Sequence, residues 1–137
     1  MPVANASALQ PEPPTILMVE DEPVLLETIA ECLRDWGYTV LEAPNATEAI
    51  AQLATVEHVD LIFSDIRMPG RMDGFALARW VRARHPEIRI LLTTGYEGQS
   101  RPEDSGLSDA PILRKPYELG VLRTRVADLV MLRSARS

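Results

Sequence analysis

The chain has 137 residues, 46% hydrophobic and 25% charged, which is the length and balance of one globular domain and excludes the disordered and fibrous classes. Twenty acidic against fourteen basic residues leave six net negative charges, and without a run of Lys or Arg able to neutralise several phosphates the sequence argues against direct nucleic-acid binding. The single cysteine, Cys32, excludes an internal disulfide and fits a reducing cytosol, and no apolar run approaches the roughly 18 residues of a membrane span, so a cytoplasmic protein with no membrane segment is expected.

Residues 1–14 are rich in Pro and Ala, lack the basic and apolar regions of a signal peptide, and read as a flexible leader. From residue 15 the pattern alternates between short apolar runs and stretches of helical period. TILMV at 15–19 is a near-continuous apolar run, as in a strand covered on both faces. A helix is expected over 23–36, with Pro23 in its first turn, Leu25, Ile29, Cys32, Leu33 and Trp36 on one face, and Gly37 as its stop. YTVLEA at 38–43 reads as a second strand. Asn45 with Glu48 three residues on has the form of a capping box for a helix ending near Ala54. DLIFS at 60–64 is a third strand, and a third helix runs from about Asp73 to His85, with Asp73 as its cap and Arg79, Arg82, Arg84 and His85 complementing its negative end.

IRILLTT at 88–94 is the fourth strand, and the polar stretch after it, rich in Gly, Pro and Ser, leaves room only for a short helix. APILR at 110–114 is a brief fifth strand. The last helix is expected from Tyr117 to about Arg133 through Leu119, Leu122, Val126 and Leu129, followed by a tail at 134–137. Strands and helices in strict alternation imply an α/β fold, a doubly wound five-stranded parallel sheet with helices on both faces. In such sheets ligands bind outside the carboxyl ends of the strands.

Those ends carry Glu20 and Asp21 after the first strand, Asp65 after the third, Thr94 after the fourth and Lys115 after the fifth. Crowded carboxylates repel one another, and a hard divalent cation such as Mg²⁺ is the usual remedy. Asp65 could then attack phosphorus to give an acyl phosphate, with Lys115 as a point charge and Thr94 as a hydroxyl donor to a phosphoryl oxygen. Taken singly, each residue has a structural reading: Glu20 and Asp21 favour a helix N-terminus, Asp65 caps a turn, Thr94 bonds its own backbone, and Lys115 is a surface lysine before proline. Their conjunction at one sheet edge favours the chemical reading.

The ordered set of LMVEDE, FSDIRMPGRMDG, LLTTGY and LRKPY resembles the receiver domain of bacterial response regulators over residues 15 to about 133. That resemblance implies a flavodoxin-like sheet of order 2-1-3-4-5, Mg²⁺ dependence, and phosphotransfer from a histidine kinase or histidine phosphotransfer protein onto an aspartate. By position, Asp65 corresponds to the phosphoacceptor. Glu20 and Asp21 correspond to the acidic metal pair, Arg67 to the residue whose backbone carbonyl joins the metal shell, and Thr94 and Lys115 to the phosphoryl-binding switch residues. A cis peptide before Pro116 is implied as well. The family's aromatic switch residue three before the lysine is here Ile112, which directs attention to Tyr96 and Tyr117 as alternative switch aromatics. The loop after Asp65 is one residue longer than the commonest version, and Gly70 is suited to absorb it.

The expected function is therefore a phosphorylation-switched binding module of a two-component phosphorelay and not an enzyme, either a stand-alone regulator or the receiver segment of a hybrid histidine kinase. Only 22 residues follow Lys115, so no separate output domain is expected. The partner surface would be the segment after the fourth strand, the fifth strand and the last helix. An aspartyl-phosphate hydrolase would carry an acid two residues beyond the nucleophile, where this chain has Arg67. A flavin or nucleotide carrier would need a Gly-rich loop where EDEP stands. Val121, Val130 and Leu132 fall partly off the core stripe of the last helix and suggest a homodimer face.

Overall fold

The computed structural model describes residues 12–95 and 110–136, with side chains up to Met131. Five parallel strands form one sheet: β1 Thr15–Val19, β2 Thr39–Ala43, β3 Leu61–Asp65, β4 Arg89–Thr94 and β5 Ile112–Arg114. Their spatial order is β2-β1-β3-β4-β5, the order the family resemblance implies. The four described helices are α1 Pro23–Asp35, α2 Ala46–Leu53, α3 Gly74–Arg84 and α4 Leu119–Arg136. No helix among the described residues is long and apolar enough to cross a membrane.

Strand alternation divides the core into two layers, because successive side chains leave opposite faces of the sheet. Leu17, Val19, Ile62, Ile90 and Leu92 pack with Ala49 and Leu53 of α2 and Phe75, Leu77 and Val81 of α3. Ile16, Met18, Leu61, Phe63 and Leu91 pack on the other side with Leu26, Ile29 and Leu33 of α1 and Leu122, Val126 and Val130 of α4. Both faces of the central strands are thus covered, which is why their sequences are apolar runs and not alternating ones.

Two helices bury a stripe rotated from the expected one. In α1 the buried residues are Leu26, Ile29, Ala30 and Leu33, while Leu25 and Trp36 pack at the margin and Cys32 is half-buried. In α4 they are Leu122, Val126 and Val130, spaced by four, whereas Leu119 is exposed and Leu129 is at the margin. Val130 is therefore a core residue and leaves the expected dimer face. Val121 is exposed, and the side chain of Leu132 lies outside the described residues.

Helix starts follow their caps. Asn45 Oδ1 accepts from the Glu48 amide at 2.8 Å, and Asp73 Oδ1 accepts from the Ala76 amide at 2.8 Å. Each side chain satisfies a donor that the first helical turn leaves without an intrahelical partner. Replacing Asp73 with alanine is expected to lower stability by about 1 kcal/mol, read as a shifted urea midpoint with unchanged slope. Gly70 adopts φ +101°, a conformation available at little cost only to glycine, and so permits a turn in the loop after Asp65. The Lys115–Pro116 peptide is cis, as the resemblance implies.

Candidate functional site

Parallel pairing brings four chain segments to one sheet edge. Glu20 directly follows β1, Asp65 is the last residue of β3, Thr94 is the last of β4, and Lys115 directly follows β5. The edge opens into a pocket of about 860 Å³ lined by residues that include Glu20, Asp21, Asp65, Arg67, Gly95 and Lys115. Carboxylate oxygens of Glu20, Asp21 and Asp65 lie within 4.8 Å of one another.

Lys115 joins two of them. Its Nζ donates to Glu20 Oε1 at 3.0 Å and to Asp65 Oδ2 at 3.1 Å, across 95 and 50 residues of chain. Glu20 is 3% exposed and Asp65 7%, so both charges are held in surroundings where an unpaired carboxylate would be costly. Glu20 Oε2 also accepts from the Glu22 amide at 3.2 Å, and Asp65 Oδ1 from the Arg67 amide at 3.3 Å. Burial raises the Glu20 carboxyl above its ordinary value, with the charge of Asp65 adding to it and the Lys115 ammonium and Glu22 amide opposing it. For Lys115 burial acts downward, but its bonds to the two carboxylates and their charge outweigh it and leave the ammonium above its ordinary value.

Three carboxylates face one ammonium, leaving an excess of negative charge on a set of hard oxygen donors. That donor chemistry suits a small divalent cation. Asp21 is exposed while Glu20 is buried, so the adjacent acids are not equivalent: Glu20 is already engaged by Lys115, and Asp21 faces the pocket mouth.

Thr94 is buried, and its carbonyl accepts from the Lys115 amide at 2.7 Å. It is not among the described residues lining the pocket, although the next residue, Gly95, is. Asp65 pairs in register with Thr93, while Leu92, two residues before Thr94, packs on the α2/α3 face. Ile112 packs on that face too, whereas Tyr117 packs on the α1/α4 face, with its ring 6.4 Å from that of Phe63. Tyr117 thus stands across the sheet from the place the family's switch aromatic would take. Tyr96 lies outside the described residues.

The reading by residue type and spacing missed Gly74. A Cβ there would meet the Asp65 carbonyl oxygen and come within 2.6 Å of Ile66 Cα, and the Gly74 amide donates to the Ile66 carbonyl at 2.7 Å. The start of α3 is packed directly against the backbone that holds Asp65. The available signal was a glycine at the first helical position just after a capping aspartate, where a better helix former would otherwise be favoured.

An acidic cluster bridged by an ammonium at the carboxyl edge of a 2-1-3-4-5 sheet defines a phosphoryl-transfer signalling module, and the chain belongs to the response regulator receiver domain family, whose sequence model matches residues 16–127. It is a receiver module of two-component signalling. It is 34% identical over 121 residues to the sensor kinase CckA of Brucella abortus, an alignment covering 85% of this chain and 12% of that protein. It is 30% identical over 117 residues to the response regulator receiver protein CpdR of the same organism, covering 85% of this chain and 96% of that one. Among solved structures, the response regulator TrrA of Thermotoga maritima in complex with Mg²⁺-BeF superimposes with a TM-score of 0.75 at 30% identity, covering 85% of this chain and 98% of that one.

Proposed function

We propose that Asp65 is the phosphoacceptor of this receiver and takes its phosphoryl group from a phosphohistidine of a histidine kinase or histidine phosphotransfer protein. The observation that carries this reading is the bond from Lys115 Nζ to Asp65 Oδ2 at 3.1 Å, within a cluster whose third and fourth members are Glu20 and Asp21. An Asp65 oxygen attacks phosphorus, the phosphorus–nitrogen bond of the donor breaks, and the imidazole leaves with its electron pair, giving an acyl phosphate. Lys115 turns one of its donors to a phosphoryl oxygen, and the Thr94 hydroxyl donates to another. Glu20, Asp21, the Asp65 carboxylate and the Arg67 carbonyl would hold Mg²⁺, which supplies positive charge against the phosphoryl oxygens as they approach. The TrrA complex with Mg²⁺-BeF supports this, since beryllofluoride is a tetrahedral mimic of a phosphoryl group.

The acyl phosphate carries about 1.5 to 2 negative charges where the carboxylate carried one, a net gain of about one at the pocket, and the release of Lys115 from its present pairing is the event that reaches the surrounding surface. The output is a changed protein contact in the cytoplasm through the segment after β4, β5 and α4, with no reaction on a released substrate. Arg67, two residues beyond Asp65, supplies no carboxylic acid for a hydrolase. Both a stand-alone regulator and a segment of a hybrid kinase fit this reading.

Intact-mass measurement after incubation with Mg²⁺ and acetyl phosphate is expected to show one added phosphoryl group on the wild-type chain and none on Asp65→Asn. Equal labelling of the two, or none of either, would exclude Asp65 as the acceptor.

A further inference from the structure

Resting on the assignment of Asp65 and Lys115 as acceptor and partner, the question becomes what aims the ammonium. Lysine has a flexible four-carbon stem whose ordering costs entropy, and here that stem rises from a turn beyond the last strand. Lys115 is the only lysine in the chain. Tyr117 lies two residues on in the same turn, across Pro116, and its ring packs on Phe63 with centroids 6.4 Å apart and planes inclined by 57°. Such tilted geometry is favoured between aromatic rings.

Phe63 is itself two residues before Asp65 on β3, so the two side chains leave the same face of the sheet. Two contacts therefore tie one strand to one turn: Phe63 with Tyr117, and Asp65 with Lys115. Tyr117 also lines an apolar pocket of about 450 Å³ together with Leu25, Ile29, Pro116, Leu119 and Lys115 itself. Burial in these surroundings pushes the Tyr117 phenol up to about 12. The ring thus packs on the core between Phe63 and the lysine turn, at the wall of this pocket.

We propose that Tyr117 is a positioning residue: its ring, seated on Phe63, fixes the turn after β5 so that the Lys115 ammonium stays aimed between Glu20 and Asp65. The aromatic ring is what the arrangement uses, so phenylalanine should serve as well as tyrosine, whereas leucine should not.

The single lysine makes the test direct, because labelling with ¹⁵N-lysine gives one side-chain ammonium signal. In the full chain without metal or phosphodonor, wild type and Tyr117→Phe are expected to show a shifted, slowly exchanging ammonium. Tyr117→Leu is expected to move it toward the position and exchange rate of a free lysine while circular dichroism shows the fold retained. With saturating acetyl phosphate and Mg²⁺, Tyr117→Leu should label about tenfold more slowly at an unchanged half-saturating donor concentration. Placed in a Lys115→Ala background it should add no further slowing. A lysine signal unmoved by Tyr117→Leu, or an equal slowing in the Lys115→Ala background, would overturn the proposal. Should Tyr117→Leu fail to fold, Phe63→Leu removes the other ring and carries the same expectations. Absence of labelling in the wild-type chain would instead strike the phosphoacceptor reading, and the lysine signal, read without any donor, would then decide the positioning role alone.

Discussion

Replacing Gly74 with alanine is expected to lower the unfolding free energy by about 3 kcal/mol and to suppress labelling of Asp65 in the fraction that still folds. The added Cβ would press on the Asp65 carbonyl oxygen and lie 2.6 Å from Ile66 Cα and 2.9 Å from the Asp65 carbonyl carbon. All three are backbone atoms, so no rotamer change relieves the contact. Either α3 moves away, stretching the 2.7 Å bond from the Gly74 amide to the Ile66 carbonyl, or the end of β3 moves and carries Asp65 with it. Gly120 is the control, because a Cβ there meets nothing within 4 Å. Being inside α4, Gly120→Ala should stabilise by about 0.5 kcal/mol. Urea titrations of the two variants separate these cases, and a Gly74→Ala chain as stable as Gly120→Ala would refute the packing account.

Replacing Lys115 with methionine should cost about 2 to 3 kcal/mol at neutral pH in the absence of divalent cations. Breaking a buried ion pair costs roughly 3 to 5 kcal/mol when the remaining charge is left without compensation, and the lower figure applies because the Lys115 side chain is 22% exposed and partly screened by water. The loss depends on pH in a defined direction. With its folded value raised by the two carboxylates, Lys115 contributes stability that is fully present at neutral pH and would be lost only as pH rose through that raised value. Glu20, raised by burial, is destabilising when ionised, and the penalty is relieved as pH falls through its folded value. The deficit of Lys115→Met should therefore be largest near neutrality and shrink on acidification into the carboxylate range. Mg²⁺ should also narrow it: with the ammonium gone the carboxylates lose their counter-charge, and the variant binds the cation more tightly than wild type does. Each chain is stabilised by RT ln(1 + [L]/Kd), about 2.7 kcal/mol at a hundredfold excess over its own dissociation constant. Denaturation midpoints across pH, with and without Mg²⁺, check both effects, and a deficit indifferent to both would show that Lys115 acts through packing alone.

The alternation of apolar runs with helical periods was enough for a parallel α/β sheet, because a strand covered on both faces must be apolar along its length. Asn45 and Asp73 could be assigned as caps because a cap is local, read within three residues. Glu20, Asp21, Asp65 and Lys115 could be picked out because strand ends in this topology share one edge. The stripes of α1 and α4 needed the sheet: helical period defines a face only to within a residue or so, and packing selects Leu26 over Leu25 and Val130 over Leu129 as the buried positions.

What residue order determined on its own is the set of chemical parts and the edge at which they gather, since those follow from periodicity and from the residue types that end each strand. The tertiary structure alone decided which parts touch: that Lys115 spans Glu20 and Asp65 while Asp21 remains outward, that Gly74 backs onto the Asp65 peptide, and that Tyr117 meets Phe63 and not the face of Ile112. The reason is physical. Periodicity reports an average orientation along one element, whereas a contact of 3 Å across 50 or 95 residues depends on strand register, turn geometry and the exclusion of every competing neighbour.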